Sequence, residues 1–350
     1  MRNETRKKYN GFTQQVATMN GVDNAAEKFS VEPTNQQKLE TRMQDSSTFL
    51  GMINIVGVPE QTGEKLGLGI NSTIAGRTDT STKDRQANDP SALQKITYAC
   101  KQTNFDTALR YSKLDMWAKF PDFATRIRDA LLQRQALDRI MVGFNGTHAA
   151  ADTDRDANPL LQDVNIGWMQ KVRDDAPEQI ITEGVPLSGE ILIYKKESDA
   201  DTKVGDFGNL DALVANLVAE ALPAWYQDDT DLVVIMGRDL LNDKLLPMIE
   251  EHAEKPSETA ALDVIRARKM VGGLPAIRVP YFPAGTLMIT RLDNLSIYWQ
   301  EGTRRRAIID NPKRDQIENY ESSNDAYVIE DYEGIAIAEN IKFQGREPGP

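Results

Sequence analysis

The chain has 350 residues, 40% hydrophobic and 27% charged, and its 41 Lys plus Arg against 53 Asp plus Glu give a formal net charge of −12. This composition is too apolar for a disordered chain, has no run of about 20 apolar residues to span a membrane, and is too acidic to wrap nucleic acid by neutralising phosphates. Cys100, the one cysteine, excludes an intrachain disulfide framework and a cysteine-rich metal site.

The chain begins as an arm. Arg2, Arg6, Lys7 and Lys8 precede no apolar run, so no signal peptide is expected. Phe12, Val16 and Met19 give a short helix a narrow apolar stripe that Gly21 ends. A second, Gln- and Asn-rich helix is expected over Thr34–Ser47, and both need a partner to bury their few apolar side chains. Strand patterns follow at Ile53–Val58 and Lys65–Ile70, then a polar stretch from Asn71 to Pro90. Alternation resumes over Leu93–Tyr111 with Ile96, Tyr98 and Cys100 on one face. Two strands flanking about 20 polar residues predict a long hairpin that projects from the body.

The strongest helix opens at Phe120–Pro121–Asp122, carries an apolar stripe through Phe123, Ile127, Ala130/Leu131, Leu137, Ile140/Met141 and Phe144, and stops at Gly143 or Gly146. At 1.5 Å per residue it is about 35 Å long. A further helix is expected within Asn158–Val172 around Trp168, and a strand at Ile191–Tyr194. Asn209 caps a helix over Leu210–Leu222, and Leu232–Met236 reads as a buried strand. Helices follow at Arg238–Glu251 and from Ser257 to Lys269. Short strands are expected at Ala276–Val279, Thr286–Thr290, Leu295–Trp299, Arg304–Ile309, Tyr327–Glu330 and Gly334–Ile341. Without regular β-α-β-α alternation, the class is α+β.

Catalytic patterns are missing. His148 and His252 have no partner at ligand spacing, and Cys100, with no histidine near it, reads as a small buried hydrophobe. Gly67-Leu68-Gly69 lacks the third glycine of a dinucleotide fingerprint. Asp152, Asp154, Asp156 and Asp163 imitate a calcium loop, but Ala157 stands where the turn wants glycine. Arg304–Arg306 reads as surface salt bridges split between the two faces of a strand. No catalytic, cofactor or metal site is expected. A detached arm, a long hairpin and a two-part body suit contact with further copies of the same chain.

Several long runs are similar to one family. They include Phe29–Pro33, Arg126–Gly146, Asn158–Trp168, Leu232–Leu241, Leu274–Tyr298 and Asn319–Tyr332. In these residues the chain resembles the major capsid proteins of P2-like tailed bacteriophages, which adopt the HK97-type capsid fold. That resemblance implies an N-terminal arm over residues 1–52, an extended loop (the E-loop) over 53–115, a P-domain over 116–207 and 316–350, and an A-domain over 208–315. It implies a non-enzymatic protein that forms pentamers and hexamers in an icosahedral head. Such a head is built on an internal scaffold with a portal in the host bacterial cytoplasm, then trimmed by a maturation protease and expanded around double-stranded DNA. The first 30 or so residues would be removed by a cut near Phe29, Ser30 and Val31, where Pro33 keeps the chain extended. Gly63, Gly67, Gly69 and Gly76 are candidate hinges of the hairpin. DNA contact is expected to be weak and non-specific, with no membrane partner. Lys83, near the hairpin tip, is weighed as a crosslinking donor and read as a solubilising loop lysine. An encapsulin-like compartment shell is the alternative.

Overall fold

The computed structural model describes residues 1–70, 75, 77–82, 84–85, 91–118, 120, 123–193, 205–242 and 270–343. The helix expected from Arg238 is present through residue 242. Its remainder, the helix from Ser257, His252, Lys83 and Gly76 lie outside the described residues.

In chain order the N-terminal half carries α1 (Asn3–Met19), β1 (Phe29–Ser30), α2 (Pro33–Asp45), β2 (Asn54–Val58), β3 (Thr62–Ile70), β4 (Ser91–Ala99), β5 (Lys101–Asn104), β6 (Thr107–Arg110), α3 (Tyr111–Trp117), α4 (Phe123–Asn145) and α5 (Trp168–Asp175). The second half carries β7 (Ile180–Ile181), β8 (Ile191–Ile193), α6 (Leu210–Ala221), α7 (Ala224–Gln227), β9 (Leu232–Met236), β10 (Met270–Val271), β11 (Leu274–Arg278) and β12 (Leu287–Arg291). It ends with β13 (Leu295–Gln300), β14 (Arg305–Asn311), β15 (Gln316–Ile329), β16 (Ile335–Ala338) and β17 (Ile341–Phe343).

Two sheets make the body. The first is ordered β1-β14-β15-β13-β2, with β5 and β6 also paired to the 14-residue β15. The second is ordered β10-β11-β9-β12-β16-β7. Its central strands β9 and β16 are buried at every position, as their unbroken Leu, Val, Ile, Met and Ala runs require of strands covered on both faces. The apolar side of α6, through Leu210, Leu213, Val214 and Leu217, covers one face. Asn209 caps that helix by accepting from the Ala212 amide at 2.8 Å. On the other face Ile235, Met288 and Ile337 join a core shared with the first sheet and with α4 and α5. The sheets are joined at a 3-10 turn, Leu292–Asn294, between β12 and β13.

The long helix α4 has 23 residues, and the expected stripe is buried at Ile140, Met141 and Phe144 and half-buried at Ile127, Leu131 and Leu137. Ala130 is exposed, and the buried face also takes in Leu132, Gln135, Ala136 and Arg139. A purely apolar stripe leaves out Gln135 and Arg139 because both are polar. Trp168 replaces the expected longer helix: it starts α5, is fully buried, and donates from Nε1 to the Ser296 carbonyl at 3.0 Å. Its ring meets Phe144 at 5.1 Å and Tyr327 at 5.3 Å, both edge-on. A Cβ at Gly143 would run into that ring. Replacing Gly143 with Ala therefore overpacks the core, with an expected loss of about 1–3 kcal/mol in urea unfolding of the subunit.

Candidate assembly site: arm docking and hairpin anchor

The second arm helix enters the body through one carboxylate. Glu40 of α2, Arg139 and Gln135 of α4, Arg304 at the entry to β14, and Glu321 and Asp325 of β15 are all buried. Arg139 pairs with Glu40 through Nη1, and with Asp325 through Nε at 3.1 Å and Nη2 at 3.1 Å. Arg304 donates to Glu40 at 2.7 Å, to Glu321 from Nε at 2.8 Å and to the Gln135 amide oxygen at 2.8 Å. The two forked guanidiniums thus join α2, α4 and the β14–β15 pair, three parts far apart in the chain.

Two cations face three carboxylates. Burial would raise Glu40, but Arg139 and Arg304 outweigh it and hold the carboxyl below its usual range. Burial likewise opposes ionisation of Glu321, and Arg304 and Arg306 overcome it to hold the group at about 2. Burial dominates at Asp325, whose pKa is raised despite Arg139.

The first arm helix is held differently. Arg6 pairs with Asp310, which also accepts from the Tyr111 hydroxyl. Val16 and Ala17 are buried in a cluster with Tyr111, Leu114, Ile308 and Ile317. Beneath α1 a cavity of about 340 Å³ remains, lined by Phe12, Leu109, Leu131 and Ile317 among others. Between the two helices, β1 lies on the edge of the first sheet with Phe29 opposite Arg306 and Ser30 opposite Arg305. Phe29 and Val31 are buried and Ser30 is exposed.

The hairpin β3–β4 forms a sheet of its own, paired from Thr62↔Ala99 to Ile70↔Ser91. Its base is tied to the body. Gln61 and Cys100 exchange backbone and side-chain bonds at 2.7 and 3.3 Å. Tyr98 packs edge-on against Tyr298 at 5.2 Å, and Lys65 pairs with Glu330, which also accepts from Ser296 and Tyr298. Burial lowers the Lys65 pKa, with Asp331 opposing the shift. Cys100 is fully buried as expected, and burial pushes its thiol up to about 12. Gly63, Gly67 and Gly69 all sit inside the paired ladder. Gly63 admits the Tyr98 ring, which an added Cβ would meet at 2.6 Å.

Other sequence candidates resolve locally. Asp154 accepts from the Asp156 and Ala157 amides, and Asp163 accepts from the Asp154 amide at 2.7 Å, so these carboxylates organise a loop. His148 is exposed beside Thr147. Arg304 corrects the surface reading of Arg304–Arg306: it is wholly buried, while Arg305 is exposed. The cluster was missed because no local pattern marks a buried arginine; alternation said only that neighbours take opposite faces.

Two sheets, a long helix, a projecting hairpin and an arm folded back on the body define a shell protein of the HK97-type capsid fold. The model of the phage major capsid protein, P2 family, matches residues 8–341. The capsid protein of Escherichia phage P2 is 47% identical over 98% of this chain and 96% of its own length. The major capsid protein of Serratia phage KSP20 is 37% identical over all of both chains. A solved procapsid of satellite phage P4, which includes a size determination protein, contains a chain 43% identical with a TM-score of 0.77, covering 98% of this chain and 99% of that one. The chain belongs to the P2 family of phage major capsid proteins. It is a structural component of the virion rather than an enzyme, and it assembles with copies of itself into a capsid shell. No helix among the described residues is long and apolar enough to cross a membrane.

The charge cluster gives stability a defined pH dependence. Glu321 titrates near 4.5 ordinarily and about 2 in the folded chain, so its contribution is full above 4.5 and lost as pH falls towards 2. That difference corresponds to about 3 kcal/mol. Glu40 acts in the same direction. Asp325, raised by burial, acts oppositely: its contribution is full at low pH and is lost as pH rises through its folded value. Urea unfolding between pH 5 and 2.5 should show a net loss of stability on acidification, and Glu321→Gln should flatten the slope.

Proposed function

We propose that the chain assembles as pentamers and hexamers on an internal scaffold, with a portal at one vertex, into a procapsid that is then trimmed and expanded around double-stranded DNA. Family membership supports this reading, as does the relative in the satellite phage P4 procapsid. In it, residues 1–52 are the arm and 53–115 the E-loop. Residues 116–207 and 316–350, with α4, are the P-domain, and 208–315, with α6, the A-domain.

The arrangement of the arm carries the maturation step. A protease reads extended backbone, and β1 is an extended edge strand at Phe29 and Ser30, followed by Val31, whose amide donates to the Arg304 carbonyl at 2.8 Å. Upstream of it, α1 sits over a cavity and is tied by the Arg6–Asp310 pair; downstream, α2 is locked through buried Glu40. A cut there divides a loosely seated helix from a fixed one. N-terminal sequencing of subunits from mature particles should find chains beginning near Phe29–Val31. Intact Met1 would overturn the proposal.

Expansion then repacks whole subunits while each core stays rigid. Gly63, Gly67, Gly69 and Gly76 remain the proposed bending points, with Lys65–Glu330 and Tyr98–Tyr298 fixing the hairpin on the base side of Gly67 and Gly69. Contact with packaged DNA is proposed to be weak, since the net charge of −12 opposes phosphate binding. Filter binding of free subunits at physiological salt should retain little duplex; strong retention would contradict containment without adhesion.

A further inference from the structure

Extended backbone alone does not make Phe29–Val31 a substrate, because the segment is stitched to the body on both sides of the proposed cut. Upstream, Ala25 is buried and its carbonyl accepts from the Ile308 amide at 2.9 Å. At the cut, Phe29 and Ser30 pair antiparallel with Arg306 and Arg305, and the Ser30 hydroxyl donates to the Gly302 carbonyl at 2.7 Å. Downstream, the Val31 amide bonds the Arg304 carbonyl, and the Gly302 amide donates to Gln36 Oε1 at 3.0 Å. Phe29 and Val31 are only 8% and 3% exposed.

A protease cleft must close around the chain and take up the side chains that flank the bond. β1 leaves one backbone edge free, but its apolar side chains are committed to the cluster with Tyr111, Leu114 and Ile308. Cutting therefore waits for local opening, and its rate follows the fraction of chains in which β1 has lifted.

The arm helix α1 restrains that opening. Asn20 ends α1, donates to the Val16 carbonyl at 2.8 Å and accepts from the Glu32 amide at 3.2 Å. The Asn35 side chain donates to the Met19 carbonyl at 2.6 Å. The end of α1 is thus tied to the chain just beyond β1. Its beginning is pinned by Arg6 on Asp310 and by the Arg2 amide, which donates to Asp115 at 2.8 Å. Val16 and Ala17 of α1 are buried in the same cluster as Phe29 and Val31.

We infer that β1 is a covered cleavage segment: docked α1 clamps it onto β14, and the lifting of α1 and β1 together is the step that admits a protease. The inference rests on the proposed cut near Phe29–Val31 and adds its regulation. A chain in its free fold resists trimming, and whatever loosens α1 makes it a substrate.

Thermolysin, which cuts before large apolar residues, tests this on the free full-length chain. A synthetic peptide of residues 24–36 gives the rate for the uncovered sequence. The Lys28–Phe29 bond should be cut about a hundredfold more slowly in the folded chain than in the peptide. Equal rates overturn the proposal. Asn20→Ala removes the clamp without touching the residues at the bond, and should speed that cut about tenfold at an unchanged unfolding temperature of the body. An unchanged rate overturns the proposal, and so does faster cutting with a lowered unfolding temperature, which would make Asn20 a residue of global stability. N-terminal sequencing of mature particles checks the position of the cut separately, since thermolysin resistance of β1 does not depend on it.

Discussion

Burying Arg139 and Arg304 is the constraint on which the rest of the subunit depends. A guanidinium taken out of water is costly, and the cost is recovered only when carboxylates and amides meet its forked donors in good geometry. Here those acceptors come from an arm helix (Glu40), the long helix (Gln135) and the longest strand (Glu321, Asp325). No two of these segments are neighbours in the chain. Placing any one of them wrongly leaves a buried charge without a partner, a loss of about 3–5 kcal/mol. An apolar contact tolerates slippage; this cluster does not.

The main core packs beside that point. The face of α4 that presents Arg139 also presents Ile140, one turn before Phe144 meets Trp168. β15, which supplies Glu321 and Asp325, pairs with β14 and β13 and with the strands that lead out of the hairpin. The arm helix α1, the hairpin beyond Lys65 and the Val185–Ser188 turn lie outside that core.

The sequence and the structure part company where polarity and burial disagree. Strands β9 and β16, the cap at Asn209 and the length of α4 were legible because burial there follows apolar pattern or capping chemistry. The strand β15 was expected only over its last residues. Its first half, Gln316–Asp325, is rich in Glu, Asn and Ser, which reads as loop until the arginines that face it are known. On α4 the buried Gln135 and Arg139 were missed for the same reason, since they look like solvent positions. The left-handed backbone at Leu187 (φ +71°) left no trace in the sequence, because a sequence carries no sign of φ at a leucine.

The sequence by itself determined the family, the α+β class, the order of arm, hairpin, long helix and two-part body, and the chemical inertness of Cys100. Those follow from long matched runs, from periodicity and from the absence of catalytic spacing, all of which are local or linear properties. Only the tertiary structure decided that Glu40 locks the second arm helix, that Arg304 is a core residue, and that Gly63 makes room for Tyr98. Each depends on which distant group occupies the adjoining space, and charge, volume and strain acquire their energetic sign only when that neighbour is in place.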